Sequence, residues 1–90
     1  MNDMDDSPSD APATSRALTL LSTEHCSLCE RALDLLLSMP ELRGATLRVV
    51  DVARDDALLE RYGARVPVLV CAGRELDWPF GPAEVAGLLQ

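Results

Sequence analysis

Two cysteines separated by two residues are the feature of this sequence with the most evident chemistry. Cys26 and Cys29 stand in the run His25-Cys-Ser-Leu-Cys29, where a short apolar segment gives way to a helical pattern. If Cys26 opens that helix, its sulfur lies near unpaired backbone N–H groups and the positive end of the helix dipole, which favour thiolate over thiol. Cys29 follows one turn later, within reach of a disulfide. The spacing predicts that Cys26 attacks a substrate disulfide and that Cys29 resolves the mixed disulfide.

The same pair admits other interpretations. A zinc site needs four ligands, and His25 and Cys71 are the other candidates, but adjacent ligands on a turn suit a tetrahedral site poorly. An iron–sulfur site, two inert buried cysteines, and a binding module that does not use its thiols are the remaining alternatives. We expect no bound metal ion and no tightly bound cofactor.

Cys71 ends an apolar strand pattern, which is typical of a small core residue.

His25 is a candidate substrate-site residue because it directly precedes Cys26. A protonated imidazole there would support the Cys26 thiolate, while the neighbouring carboxylates of Glu24 and Glu30 would oppose it.

Seven predicted elements surround the cysteine pair. Strands are indicated by short apolar or β-branched runs, and helices by apolar residues three and four positions apart. The helix that Cys26 opens must end before Pro40, because the residue preceding a proline avoids helical angles. The predicted elements are a strand at 17–22, a helix at 26–39, strands at 45–51 and 66–71, a helix at 55–62 between them, a strand at 74–77 and a helix at 82–89. This β-α-β-α-β-β-α order predicts an α/β fold with a mixed four-stranded sheet between helices.

The charge balance excludes several classes of partner. The chain has a net charge of −7, with no lysine, and four of its carboxylates lie in residues 1–15. We predict a disordered acidic tail at 1–15 and one domain at 16–90. A negative surface disfavours nucleic acid, and the absence of a long apolar run disfavours a membrane. We therefore expect a cytoplasmic monomer that acts on a protein or low-molecular-weight disulfide.

The combination of strand, CxxC at a helix start, and Val66-Pro67 opening a later strand resembles the thioredoxin superfamily. The short format and the run from His25 to Cys29 are most similar to a bacterial glutaredoxin-like family. The resemblance implies a thioredoxin-like fold and a cis peptide bond between Val66 and Pro67, beside the nucleophilic cysteine. It also implies that the Val66 backbone pairs with an extended substrate. Trp78 and Phe80 are expected in core packing rather than in the substrate cleft.

The sequence departs from typical glutaredoxins at positions that bear on glutathione. Thr23 and Glu24 stand where those proteins usually have a lysine for a glutathione carboxylate, and Arg65 replaces the threonine before Val66-Pro67. Arg65 is nevertheless a candidate for binding a carboxylate, because a guanidinium can hold one bidentately. Glutathione is thus expected only as a reductant, and the departures weigh against its binding.

Overall fold

The strands and helices follow the predicted order. The computed structural model describes residues 17–89. Its elements are β1 (Ala17–Ser22), α1 (Ser27–Ser38), β2 (Thr46–Asp51), α2 (Asp56–Tyr62), β3 (Val68–Cys71), β4 (Arg74–Asp77) and α3 (Pro82–Leu88). Two short 3₁₀ helices that the sequence analysis did not predict, Pro40–Leu42 and Val52–Arg54, precede and follow β2. The predicted β-α-β-α-β-β-α order is confirmed.

The four strands form one mixed sheet in the order β2-β1-β3-β4. β1 runs parallel to β2, as expected for two strands joined by the crossover helix α1. β3 is antiparallel to both β1 and β4. β1 is thus an inner strand, and the turn that follows it reaches the amino end of α1.

Buried side chains fill both faces of this sheet. Neighbouring residues of β1 illustrate the alternation, since Leu20 and Leu21 belong to different buried clusters. The larger cluster joins the sheet to α1 and α3. The smaller one comprises Leu21, Val52, Tyr62 and Val68, on the side of α2. The sheet is therefore covered on both faces, which explains why the inner strands are almost continuously apolar.

The element boundaries differ from the predicted ones by a residue or two, for identifiable reasons. β3 begins at Val68 rather than at Val66, because Pro67 has no N–H to donate to a strand ladder. α2 begins at Asp56, because the Asp55 carboxylate accepts hydrogen bonds from the first backbone N–H groups and so caps the helix from outside. Cys26 likewise caps α1 instead of being its first residue.

The predicted acidic tail at 1–15 and the start of the domain at Arg16 lie outside the described residues. Within residues 17–89, no helix is long and apolar enough to cross a membrane.

Candidate active site

The turn between β1 and α1 places the cysteine pair beyond the carboxyl end of β1, an inner strand of the sheet. β1 ends at Ser22, and three residues later His25 adopts a left-handed conformation with φ of 57°. Cys26 follows in an extended conformation, with φ of −112° and ψ of 104°, and α1 begins at the next residue. This change of direction delivers the Cys26 side chain to the amino end of a 12-residue helix.

Cys26 occupies the N-cap position of α1, and its sulfur acts as the capping acceptor. The backbone N–H of Cys29 donates to Cys26 Sγ at an N···S distance of 3.2 Å. A thiolate accepts such a bond better than a thiol, and it also gains from the positive end of the helix dipole. Cys26 as a residue is only half-buried. The geometry suits a nucleophilic thiolate.

Cys29 lies one turn further into the protein, in a different environment. Its side chain is 4 % exposed. Burial raises the pKa of the Cys29 thiol above its ordinary value, and the hydrogen bond with Cys26 adds to the increase. Hydrogen bonds with Ser22 and the Thr23 backbone act in the opposite direction and are the smaller influences. The pair therefore has one outer member, Cys26, and one inner member, Cys29.

A shallow pocket of about 190 Å³ opens beside the two sulfurs. Its walls come from the end of β1, the following turn, the first turns of α1 and one residue of β2. The lining consists of Leu20, Ser22, Thr23, Glu24, His25, Cys26, Cys29, Glu30, Leu33 and Val49. Of the residues predicted for the site, this pocket unites Cys26, Cys29 and His25.

Val66 and Pro67 lie on the neighbouring strand connection. Leu21 pairs with Val68 in antiparallel register, so the residues before Val68 run beside those after Leu21, which lead to Cys26. The Val66–Pro67 peptide bond is cis. The Pro67 carbonyl accepts a hydrogen bond from the Trp78 N–H at 3.2 Å. The Val66 N–H donates to the Tyr62 carbonyl at 3.0 Å, so the Val66 backbone is not wholly available to a substrate as the resemblance implied.

Arg65 is held by two carboxylates of β4. Its guanidinium lies 2.8 Å from Asp77 Oδ1 and 2.9 Å from Glu75 Oε1. It also lies over the Tyr62 ring, 5.1 Å from the centroid, and the Tyr62 hydroxyl donates to Glu75 Oε2 at 2.6 Å. Sequence analysis missed this cluster. Its one signal was that Glu75 and Asp77, two residues apart on a strand, share a face.

The other singled-out residues belong to the interior. Cys71 is 2 % exposed and sits in the larger core cluster. Phe80 belongs to the same cluster, and Trp78 packs against it with the two rings edge to face at 5.1 Å. In the part of the chain that the structure describes, no three His, Cys, Asp or Glu side chains converge as a metal-binding group.

Comparisons with known proteins bear on this arrangement. Residues 17–90 match the family described as Glutaredoxin-like domain (DUF836). The X-ray structure of the structural genomics target protein XcR50 from X. campestris is similar, with a TM-score of 0.68 and 40% sequence identity over 80% of this chain and 93% of that one. Its solution structure has a TM-score of 0.67 and 40% identity over 81% and 91% of the two chains.

A more distant similarity concerns the fold alone. The crystal structure of Trxlp from Edwardsiella tarda EIB202 has a TM-score of 0.53 and 21% identity, over 91% of this chain and 89% of that one. The comparison with curated proteins gives no match.

Proposed function

Because this chain belongs to the glutaredoxin-like domain family and has a thioredoxin-like fold, we propose that it is a thiol–disulfide oxidoreductase. Cys26 is the nucleophile and Cys29 the resolving cysteine. The observation that carries the proposal is the asymmetry of the pair. Cys26 is half-buried and its sulfur accepts the Cys29 N–H at the start of α1, whereas Cys29 is buried with a raised pKa.

The reaction consists of two exchanges that conserve electrons and protons. The Cys26 thiolate attacks one sulfur of a substrate disulfide, and the other substrate sulfur leaves with the electron pair and takes up a proton. Cys29 then loses its proton and attacks Cys26 Sγ, so that the second substrate sulfur leaves as a thiol. The substrate gains two electrons and becomes two thiols, while the protein dithiol becomes the Cys26–Cys29 disulfide.

The substrate-binding roles follow from position. Val66 and Pro67 run beside the chain that leads to Cys26. Because the Val66 N–H is bound to the Tyr62 carbonyl, the backbone group of Val66 that would bind an extended substrate is its carbonyl. His25 lines the pocket at the sulfurs. Arg65, already bound to two carboxylates, acts through the segment that it anchors rather than as an open receptor for a substrate carboxylate.

The setting is proposed together with the activity. The chain acts as a cytoplasmic monomer, on a protein or low-molecular-weight disulfide, without nucleic acid, membrane, metal ion or tightly bound cofactor. Glutathione is a candidate reductant of the oxidised pair.

The test is a redox titration of the protein against glutathione buffers. Cleavage after arginine places Cys26 and Cys29 together on the peptide that ends at Arg31, and Cys71 on another. We expect the first peptide to lose two hydrogen masses on oxidation, while the thiol of Cys71 stays intact. Absence of that intramolecular disulfide across the whole range would overturn the proposal.

Two variants assign the roles. Cys26→Ser should abolish exchange, since no nucleophile remains at the helix start, and Cys29→Ser should accumulate a mixed disulfide on Cys26. Ser27→Ala, between the two cysteines and exposed, is the matched control and should exchange like the parent protein. Equal activity of Cys26→Ser and the parent protein would contradict the assignment.

A further inference from the structure

The pocket beside the dithiol carries an unbalanced charge. Glu24 and Glu30 contribute two carboxylates to its lining, both on exposed residues. Glu30 lies four residues after Cys26, so the two share one face of α1. His25 is the lining's single side chain able to become cationic, and no arginine is among the lining residues within 17–89.

Two arginines on segments that flank the end of β1 are bound to carboxylates outside the pocket lining. Asp51, which pairs with Ser22 in the sheet register, has Arg54 Nε 3.8 Å from its Oδ2. Arg65, on the other side, is bound to Glu75 and Asp77. Both arginines are paired elsewhere. Within the pocket lining two carboxylates face one histidine, so the net charge of these side chains is negative whether or not His25 is protonated.

Part of the remaining lining is apolar, beside the polar residues Ser22 and Thr23. Leu33 is half-buried, and Val49 on β2 is 51% exposed although it is a large hydrophobic residue. An apolar group next to the substrate sulfur would cover this surface and remove it from water. The pocket therefore combines a reactive sulfur, two carboxylates and an apolar wall.

Resting on the proposed function, we infer that this pocket selects its substrates by charge. It favours disulfides that are cationic or neutral, with an apolar group near the sulfur, and disfavours anionic ones such as glutathione disulfide. The chemistry is the first exchange already described: a bond forms between Cys26 Sγ and one substrate sulfur, the substrate S–S bond breaks, and the other substrate sulfur leaves with the electron pair. The carboxylates act on the charge of the substrate and do not enter the chemistry.

The experiment measures single-turnover oxidation of the fully reduced protein by three disulfides. Cystamine is cationic, bis(2-hydroxyethyl) disulfide is neutral and glutathione disulfide is anionic. Because their leaving groups differ, the informative quantity is how the cystamine-to-glutathione rate ratio changes between variants. In Glu24→Gln/Glu30→Gln we expect this ratio to fall about three- to tenfold, the range for two exposed charge interactions.

The matched control is Asp56→Asn/Glu60→Gln, which removes the same net charge from exposed positions on α2, outside the pocket lining. Its rate ratio should equal that of the parent protein. A high salt concentration should lower the ratio of the parent protein towards that of the double glutamine variant, because exposed charges are screened.

The outcomes separate the two claims. An unchanged ratio in Glu24→Gln/Glu30→Gln, or an equal fall in the control, would overturn the charge selection while leaving the oxidoreductase proposal intact. Failure of all three disulfides to oxidise Cys26 and Cys29 would instead overturn the proposed function itself. The inference is supported if the cystamine-to-glutathione rate ratio falls in Glu24→Gln/Glu30→Gln, and in the parent protein at high salt, but not in the control variant.

Discussion

Cys26 and Cys29 are three positions apart but differ in what surrounds their sulfurs. Cys26 Sγ accepts a backbone N–H at the start of α1, whereas Cys29 is enclosed by protein. When Cys26 is bound to a substrate sulfur, the charge of Cys26 and its hydrogen bond to Cys29 no longer raise the pKa of Cys29. Burial, which is the largest cause of the raised pKa of Cys29, remains. In the proposed reaction, the second exchange therefore requires deprotonation of a thiol with a raised pKa.

This difference predicts a pH dependence for the resolving step. Because the Cys29 pKa is raised, the resolving thiolate is scarce at neutral pH and becomes more abundant as the pH rises. The rate at which the mixed disulfide converts to the Cys26–Cys29 disulfide should increase about tenfold per pH unit below that pKa. Acid quenching followed by mass spectrometry of the intermediate gives this rate. A resolution rate that stays flat through the alkaline range would contradict the prediction.

The sequence was sufficient to predict that Cys26 and Cys29 lie at the start of a helix, but it did not predict the ion pairs of Arg65. The CxxC spacing and the change from strand to helix pattern depend on neighbouring residues and are visible in the chain itself. The carboxylates of Glu75 and Asp77 lie 10 and 12 residues after Arg65, and they meet it only through the packing of the β3–β4 hairpin. The spacing of Glu75 and Asp77 places both carboxylates on one face of a strand, but it does not identify Arg65 as their partner.

At the scale of elements, the connection from α2 to β3 is tied down at both of its ends. The N–H groups of Arg65 and Val66 donate to the Tyr62 carbonyl at 2.7 and 3.0 Å. Further on, the Pro67 carbonyl accepts the Trp78 N–H, and the Arg65 side chain is bound to β4. The segment that borders the reactive turn is thus fixed by the helix before it and the strand beyond it.

The carboxylate of Glu75 is central to this anchoring and predicts a pH-dependent stability. The hydrogen bond from Tyr62, followed by that from Arg65, holds the pKa of Glu75 below its ordinary value. A lowered pKa means that the stabilisation is complete above the ordinary glutamate value, about pH 4.3, and is lost as the pH falls through the lower folded-state pKa. The hydrogen bond with Glu75 is the chief cause of the raised pKa of Tyr62. The stabilisation that Tyr62 contributes is therefore complete below about pH 10 and is lost as the pH rises through its folded-state pKa.

Glu75→Gln should therefore unfold at a lower temperature than the parent protein between these limits, and the difference should shrink towards acid. Thermal unfolding followed by circular dichroism across the pH range measures it. Glu60→Gln, on the exposed side of α2, serves as the control and should leave the profile unchanged. A Glu75→Gln difference that is constant down to strongly acid pH would show that the carboxylate does not act through its charge.

At the scale of the whole molecule, the protein depends on an inner pair of strands packed on both faces. In β3, Val68 belongs to the smaller core cluster and Leu69 to the larger one, and both are 0 % exposed. β3 also pairs with β1 on one side and β4 on the other. Loss of a side chain there removes contacts from the centre of the fold.

Leu69→Ala should lower the free energy of unfolding by about 2–5 kcal/mol, since it removes a fully buried side chain and leaves a cavity. Leu37→Ala is the matched control, because Leu37 is 71% exposed. It should change the stability by no more than about 0.5 kcal/mol. Urea denaturation of the parent protein and the two variants measures these changes, provided that the free energy of unfolding depends on urea concentration with the same slope in all three. Equal stabilities of the two variants would contradict the assignment of β3 to the core.

The overall fold could be predicted because each strand and helix carries its own pattern. The nearly continuous apolar runs of β1 and β3 indicate strands buried on both faces. The alternation of strands with helices predicts a parallel pairing of β1 with β2. The short 3₁₀ helices around β2 and the start of β3 at Val68 escaped prediction. They depend on local hydrogen bonding that apolar periodicity does not record.

The position of β4 at the edge of the sheet has a consequence for association with other chains. An edge strand displays backbone groups that a strand from a second molecule could extend. Three of the four residues of β4, namely Arg74, Glu75 and Asp77, carry ionisable side chains, and the strand is short. An added strand would have to bring compensating charges to this border and disturb the ion pairs with Arg65. The carboxylates of Glu75 and Asp77, which anchor the connection to β3, thus also disfavour the addition of a further strand at the β4 edge of the sheet.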